Sequence, residues 1–291
     1  MQKTVIGVSR PPAAQAVGQA YQEHVYFSCQ GLGRQANPLI HLAWAPPASH
    51  PAQQPAPATG VQAQAGSECV TLLLQGQLHA QDSAGHSHTL DAGDVLWLSA
   101  GQGLLHQQRH GDELARRGGT LELLTLWINL PAACKLSPPH AQHLTGASIP
   151  AMALPDDAGS LRLIAGEWGG QLGPAETVTP LQLWDITLHP GRSAHFTLPR
   201  GWHGVLLVLH GAAQLNRWPH PIPTGHLALL DAAGDEVQLS AGHTHPARVL
   251  LASGEPLQEP IASQGALVMN HAEQLPPLAQ ALARGDFGTL G

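Results

Sequence analysis

Charge is scarce in this sequence. Only 11% of its 291 residues are Asp, Glu, Lys or Arg, and the formal net charge is −7. Beyond Arg116-Arg117 there is no basic cluster, so no positive face is available for the phosphate contacts of direct nucleic-acid binding. Long apolar runs are also missing: nothing approaches the roughly 20 residues of a membrane span, and "MQKTVIGVSRPP" has no apolar signal core. The expectation is a soluble cytoplasmic protein. Cysteine is sparse too. Cys29, Cys69 and Cys134 are odd in number and lack metal-type spacing, which excludes a disulfide framework and leaves buried reduced thiols as the reading.

What is abundant is punctuation. The chain has 32 glycines and 25 prolines, with 43% hydrophobic residues between them, too many breaks for long helices and too much apolar content for disorder. Apolar runs of four to eight residues recur between turn signals, as in "CVTLLLQG", "DVLWLSAG", "PLQLWDITLHPG" and "GVLLVLHG". Short buried strands at this spacing make an all-β sandwich or barrel. "PAQQPAPATG" and "RHGDELARRGG" read as loops, the second of them mobile.

The pattern occurs twice. "CVTLLLQG" ending at Gly76 matches "GVLLVLHG" ending at Gly211, and "GDVLWLSAG" from Gly93 matches "GHLALLDAAG" from Gly225, with nearly the same offset. The break between copies is expected in Cys134 to Gly146, giving domains at 1–136 and 137–291. A short C-terminal helix is expected from Pro277 to Gly285, with Asn270 as N-cap and Glu273 three residues on.

The segments "GSECVTLLLQG", "WLSAGQGLLH", "LLTLWINLP" and "GEPLQEP…GALVMN", in this order, resemble the pirin family. The resemblance runs from about Pro38 to Asn270 and implies two tandem cupin β-barrels of jelly-roll type. It also implies one metal ion, usually iron, in the N-terminal barrel. The family holds that ion through two histidines of a His-Pro-His-Arg-Gly segment and a His-x-Glu pair. Carried onto this chain, those positions are Gln62, Gln64, His106 and Gln108. Only His106 keeps its ligand type. An amide oxygen is a neutral, weak donor where the family has imidazole and carboxylate, so no resident metal and no cofactor are expected. Glu68 on the adjacent strand could add one oxygen, but one His and one Glu fall short of the three or more ligands of a stable site.

The second copy offers Thr197, Pro199 and Gln238 at the corresponding positions, with His203 near the place of Glu68, and no ligand triad. His195 and His203 read as hydrogen-bonded rim residues. His86 and His88 form an HxH pair beside His79; they share a strand face, but no acidic or cysteine partner completes the set, so they read as a solvated hairpin end open to adventitious metal. Trp97, Trp127, Trp184 and Trp202 fall at strand positions and read as core, with Trp97 or Trp127 at a cavity mouth as the functional alternative.

Three functions follow. The favoured one is a binding or regulatory module, its barrel a concave pocket whose glutamines donate and accept hydrogen bonds to a small molecule, with a protein partner also consistent with the family. The second is a metal-dependent quercetin 2,3-dioxygenase, which the resemblance suggests, but the base would be Gln108, and an amide takes no proton near neutral pH. The third is a structural protein whose glutamines merely fill the former metal cavity. The family implies a monomer.

Overall fold

The computed structural model of the chain describes residues 1–31 and 35–290. Strands dominate, and the repeat seen in the sequence is present in space: each of two compact units holds one seven-stranded and one four-stranded antiparallel sheet.

The first barrel comprises Pro12–Arg34, Leu39–Gly146 and Leu257–Gly291. Its larger sheet runs, edge to edge, from His140–Leu144 through Val95–Ser99, Ser67–Gln75, Gly119–Asn129, Leu39–His50 and Tyr21–Phe27 to Ala14–Val17. Its smaller sheet orders Gln62–Gln64, Leu104–His110, Gln77–Asp82 and Ser87–Asp91. An interior strand of the larger sheet, Ser67–Gln75, is buried along nearly its whole length, as its continuous apolar run requires. Leu104–His110 behaves differently, alternating buried and half-buried residues. Its buried face is Leu104, His106, Gln108 and His110, so the alternation of a strand aims polar side chains at the interior. Leu73, Leu78, Leu90, Leu96 and Leu123 close the core beside them.

The second barrel comprises Met1–Pro11, Gln35–Pro38 and Ala147–Pro256. Its larger sheet runs from Val5–Ser9 through Leu227–Leu230, His203–His210, Ala247–Gly254, Leu181–Leu188 and Gly159–Ala165 to Ala151–Ala153. The interior is apolar, with Trp184 and Phe196 in contact at 5.9 Å between ring centres. The positions expected to correspond to the metal site do not face it. Ala194, Phe196 and Leu198 point inward, so His195 and Thr197 are exposed, and Gln238 bonds Gln2 instead. Phe196 and Leu198 win the interior because only they bury apolar area there. His203 shares a hydrogen bond of 3.1 Å with the Asn37 carbonyl.

The units are not contiguous in sequence as the division at 136/137 is. The N-terminal strand Val5–Ser9 pairs with Leu227–Leu230 of the second barrel, and buried Lys3 is held there by the carbonyls of Trp202, Asp231 and Ala232. The C-terminal segment belongs to the first barrel. Its helix, Leu275–Arg284, packs Leu275 and Leu278 on Ala65, Leu267 and Met269. The capping differs from expectation: Gln274 Oε1 accepts from the backbone N–H groups of Asn270 and His271, because the Asn270 side chain is engaged with Glu259 at 2.9 Å. Gly285 ends the helix at φ 85°, as its position suggested.

Two further expectations change. Asp112–Arg117 is a short helix, not a mobile loop: Leu114 and Ala115 are buried, and acidic first-turn and basic last-turn residues match the helix dipole. Cys29 and Cys69 are buried, but Cys134 is half-buried. Trp97 and Trp184 are fully buried, Trp127 stacks on His41 at 4.2 Å, and Trp202 lies just before its strand. Among the described residues no helix is long and apolar enough to cross a membrane.

Candidate functional site

Strand register assembles the site. Gln62–Gln64 runs antiparallel to Leu104–His110, with His106 opposite Gln62 and Leu104 opposite Gln64. On its other side the same strand sets His106 opposite Asp82 and Gln108 opposite Ala80. Directly after the glutamines the chain turns at Gly66, where φ is +70° and an added Cβ would lie 1.8 Å from the Val268 carbonyl oxygen. Only glycine fits. Buried Lys135 locks this turn, its Nζ donating to Gly66 O at 2.8 Å and Asn129 Oδ1 at 2.6 Å, and burial pushes its pKa down to about 8. Nothing in the sequence singled out Lys135.

Gln62, His106 and Gln108 line one small cavity, together with Tyr21, Thr59 and Thr71. His106 and Gln108 also face an adjoining small cavity, walled by Asp82, His86, His88 and Leu98. Water-sized molecules can centre in only about 20 Å³ of each, room for one or two waters. Gln64 and Glu68 line neither, though both are buried.

The amide groups of Gln108 and Gln64 bond hydroxyls rather than each other. Gln108 Nε2 donates to Thr71 Oγ1 at 2.9 Å and its Oε1 accepts from the Tyr21 hydroxyl at 3.4 Å. Gln64 Nε2 donates to Ser67 Oγ at 3.0 Å. Hydroxyls on neighbouring strands take these bonds because each can both donate and accept. Three buried atoms are left without a hydrogen-bond partner: Gln64 Oε1, Glu68 Oε2 and His106 Nε2. Burial drives the His106 pKa down to about 4, against a smaller upward pull from Asp82, so the ring is neutral. Burial likewise pushes the Glu68 carboxyl up to about 7, against a smaller lowering by the Trp97 indole.

This donor set does not fit iron. His106 supplies one good nitrogen, the amide donors are turned to hydroxyls, and Glu68 holds a proton up to near neutral pH. Among the described residues no group of three His, Cys, Asp or Glu is set to hold a metal.

At the adjacent hairpin the structure gives His86, but not His88, an acidic partner. His86 Nδ1 donates to buried Asp82 Oδ2 at 2.8 Å. His143, on the edge strand of the other sheet, donates through Nε2 to Asp94 Oδ2 at 2.9 Å and lies 5.2 Å from the His88 ring. His79 faces Thr89 and Ser87. His143 lies 55 residues beyond His88, so only strand pairing reveals it.

Comparison with known proteins agrees with this architecture. The model of the Pirin family matches residues 41–128, and that of the Pirin C-terminal cupin domain matches 183–288. A Pseudomonas aeruginosa protein named "Putative quercetin 2,3-dioxygenase" is 35% identical over 285 residues, 98% of each chain. Human Pirin is 32% identical over 218 residues, covering 72% of this chain and 71% of its own. The crystal structure of a quercetin 2,3-dioxygenase from Acinetobacter baumannii superposes with a TM-score of 0.94 at 32% identity, over 99% of both chains. The two cupin domains lie in tandem along one chain.

Proposed function

This chain belongs to the pirin family, and within it we propose a member that works without iron at the family's four positions, as a binding module for a small, neutral, hydrogen-bonding molecule. The observation that carries the reading is the trio of Gln62, His106 and Gln108 around one cavity, with His106 neutral and its Nε2 free. A neutral imidazole and two amides recognise polar groups without selecting a charge. The two adjoining cavities are small, so the ligand has only a few heavy atoms or reaches in from the mouth with its polar end.

A second reading, oxygenation of a flavonol, is favoured by the names of the Pseudomonas and Acinetobacter relatives, which align nearly end to end. Against it stands the chemistry of the pocket. Gln108 occupies the position of the base and an amide cannot accept a proton near neutral pH. The experiment that separates the two is a turnover assay with quercetin under added Fe(II), Ni(II) or Mn(II), run beside a thermal-shift screen of small polar compounds. Binding shifts that vanish in Gln108→Leu, with quercetin turnover below about one per second, are the expected result. Metal-dependent turnover at or above that rate overturns it in favour of the oxygenase. Silence in both assays leaves a barrel whose polar interior serves packing.

A further inference from the structure

A short hairpin of the second barrel builds a cleft of its own. Glu167–Trp168 pairs with Gln171–Leu172, and the two are joined by Gly169 and Gly170 at φ 58° and 78°, a two-residue turn that glycine adopts without strain. The turn leaves Trp168 half-buried, packed against the apolar core of the barrel. Glu167 and Trp168 line the cleft together with Gln182, His195 and Thr197. Ala194, Phe196 and Leu198 take the barrel interior, and strand alternation turns His195 and Thr197 outward to this face. The cleft measures about 390 Å³, within the range of small-molecule sites.

Gln182 points to a ligand. Its side chain is only 9% exposed, and its Oε1 accepts the Glu167 backbone N–H at 2.7 Å. That bond settles which end of the amide is oxygen. The approach is close: a Cβ added at Gly166 would lie 1.9 Å from the same oxygen. With Oε1 tied to the hairpin, Nε2 is the end left over, and among the described residues nothing accepts from it. A nearly buried donor without an acceptor is costly, so a partner from outside the chain fits here.

The lining selects a chemical class. The Gln182 donor needs an acceptor, which an ammonium ion lacks. No Lys or Arg lines the cleft, and the exposed Glu167 carboxylate repels an anion. What remains is a neutral ligand with hydroxyls for these polar groups and an apolar face for the indole. We propose that the cleft binds a neutral mono- or disaccharide, one ring face laid on Trp168, with hydroxyls bonded to Gln182 Nε2, the Glu167 carboxylate and the Thr197 hydroxyl. A sugar ring carries C–H groups on its face and hydroxyls around its rim, which matches this mixed lining. The cleft is open, so the expected Kd is on the order of 1 mM. All of these residues lie in the second barrel, and the site is independent of the Gln62, His106 and Gln108 cavity.

The test is titration of the full chain with D-glucose, D-galactose, D-mannose, maltose and cellobiose, followed by ligand-observed NMR and tryptophan fluorescence, with tetramethylammonium as the cation control. At least one sugar should bind saturably with Kd below about 10 mM. Trp168→Ala should weaken that binding at least tenfold. Gln182→Glu keeps an acceptor for the Glu167 N–H and removes the donor, and it should weaken binding to the same degree. Gln171→Ala, on the same hairpin but outside the lining, should leave it unchanged. Circular dichroism of each variant separates lost binding from lost fold, and Gln182→Met replaces Gln182→Glu if that variant misfolds. The proposal is overturned if no sugar binds below about 10 mM, or if binding is unaltered in Trp168→Ala or in the folded Gln182 variant. Tighter binding of tetramethylammonium than of every sugar also overturns it, in favour of a cation site.

Discussion

Gln108 Nε2 donates to Thr71 Oγ1 over 2.9 Å inside the first barrel. That bond occupies the side chain standing where the pirin family places a carboxylate ligand, and it turns the amide toward a neighbouring strand. Tyr21 and the Thr59 hydroxyl, which accepts from the Gln108 backbone N–H at 3.0 Å, complete the surround. The position therefore now serves a hydroxyl network.

Thr71→Val keeps the shape of the side chain and removes the acceptor. Gln108 Nε2 is then left unpaired in the interior, which costs about 1–2 kcal/mol. Urea unfolding should show a lower midpoint with an unchanged slope. An unaltered midpoint would mean that water replaces Thr71 at no cost.

Two buried titratable groups give stability opposite pH slopes. The folded-state pKa of His106 is depressed to about 4, so its contribution is intact above the ordinary histidine value of about 6.5 and is lost as pH falls from there toward 4. The folded-state pKa of Glu68 is raised to about 7, so its contribution is intact below about 4.5 and is lost as pH rises from there to 7. Glu68→Gln should therefore gain roughly 1–3 kcal/mol relative to the parent at pH 8 and little at pH 4.5. His106→Gln should flatten the acid limb. The check is urea unfolding at pH 4.5, 6 and 8, and a Glu68→Gln gain equal at all three would contradict the assignment.

Gly66, Lys135 and the pairing of His106 with Gln62 hold the backbone beside Gln62, Gln64 and His106. Gln62→His, Gln64→His and Gln108→Glu together should restore a competent iron site, with Gln64 replaced by a ring that leaves Ser67. Calorimetry with Fe(II) under argon should find one site per chain. A folded triple variant without binding would show that the cavity has changed shape.

Much of this was legible in the sequence and some was not, for physical reasons. The strands and their repetition show as apolar runs cut by glycine, since burial between sheets imposes that pattern. Gln62, Gln64 and Gln108 show because flanking segments fix their alignment. The partners of those amides do not: Ser67, Thr71 and Tyr21 become neighbours only through strand register. The same holds for His143 and Asp94 beside His88. The Asp112–Arg117 helix is too short to show a period, and the joining of Val5–Ser9 to the second barrel depends on an edge far along the chain. In the second copy, one residue of register put Phe196 rather than Thr197 inside.

Gln62, Gln64, His106 and Gln108 are expected to hold no iron, and this expectation has a direct check. It is tested most directly by mass-spectrometric metal analysis of protein made without a His-tag and reconstituted with Fe(II) under argon, for the parent and His106→Ala. Iron far below one per chain is expected, with the same trace in both proteins. One iron per chain in the parent that disappears in His106→Ala would contradict it.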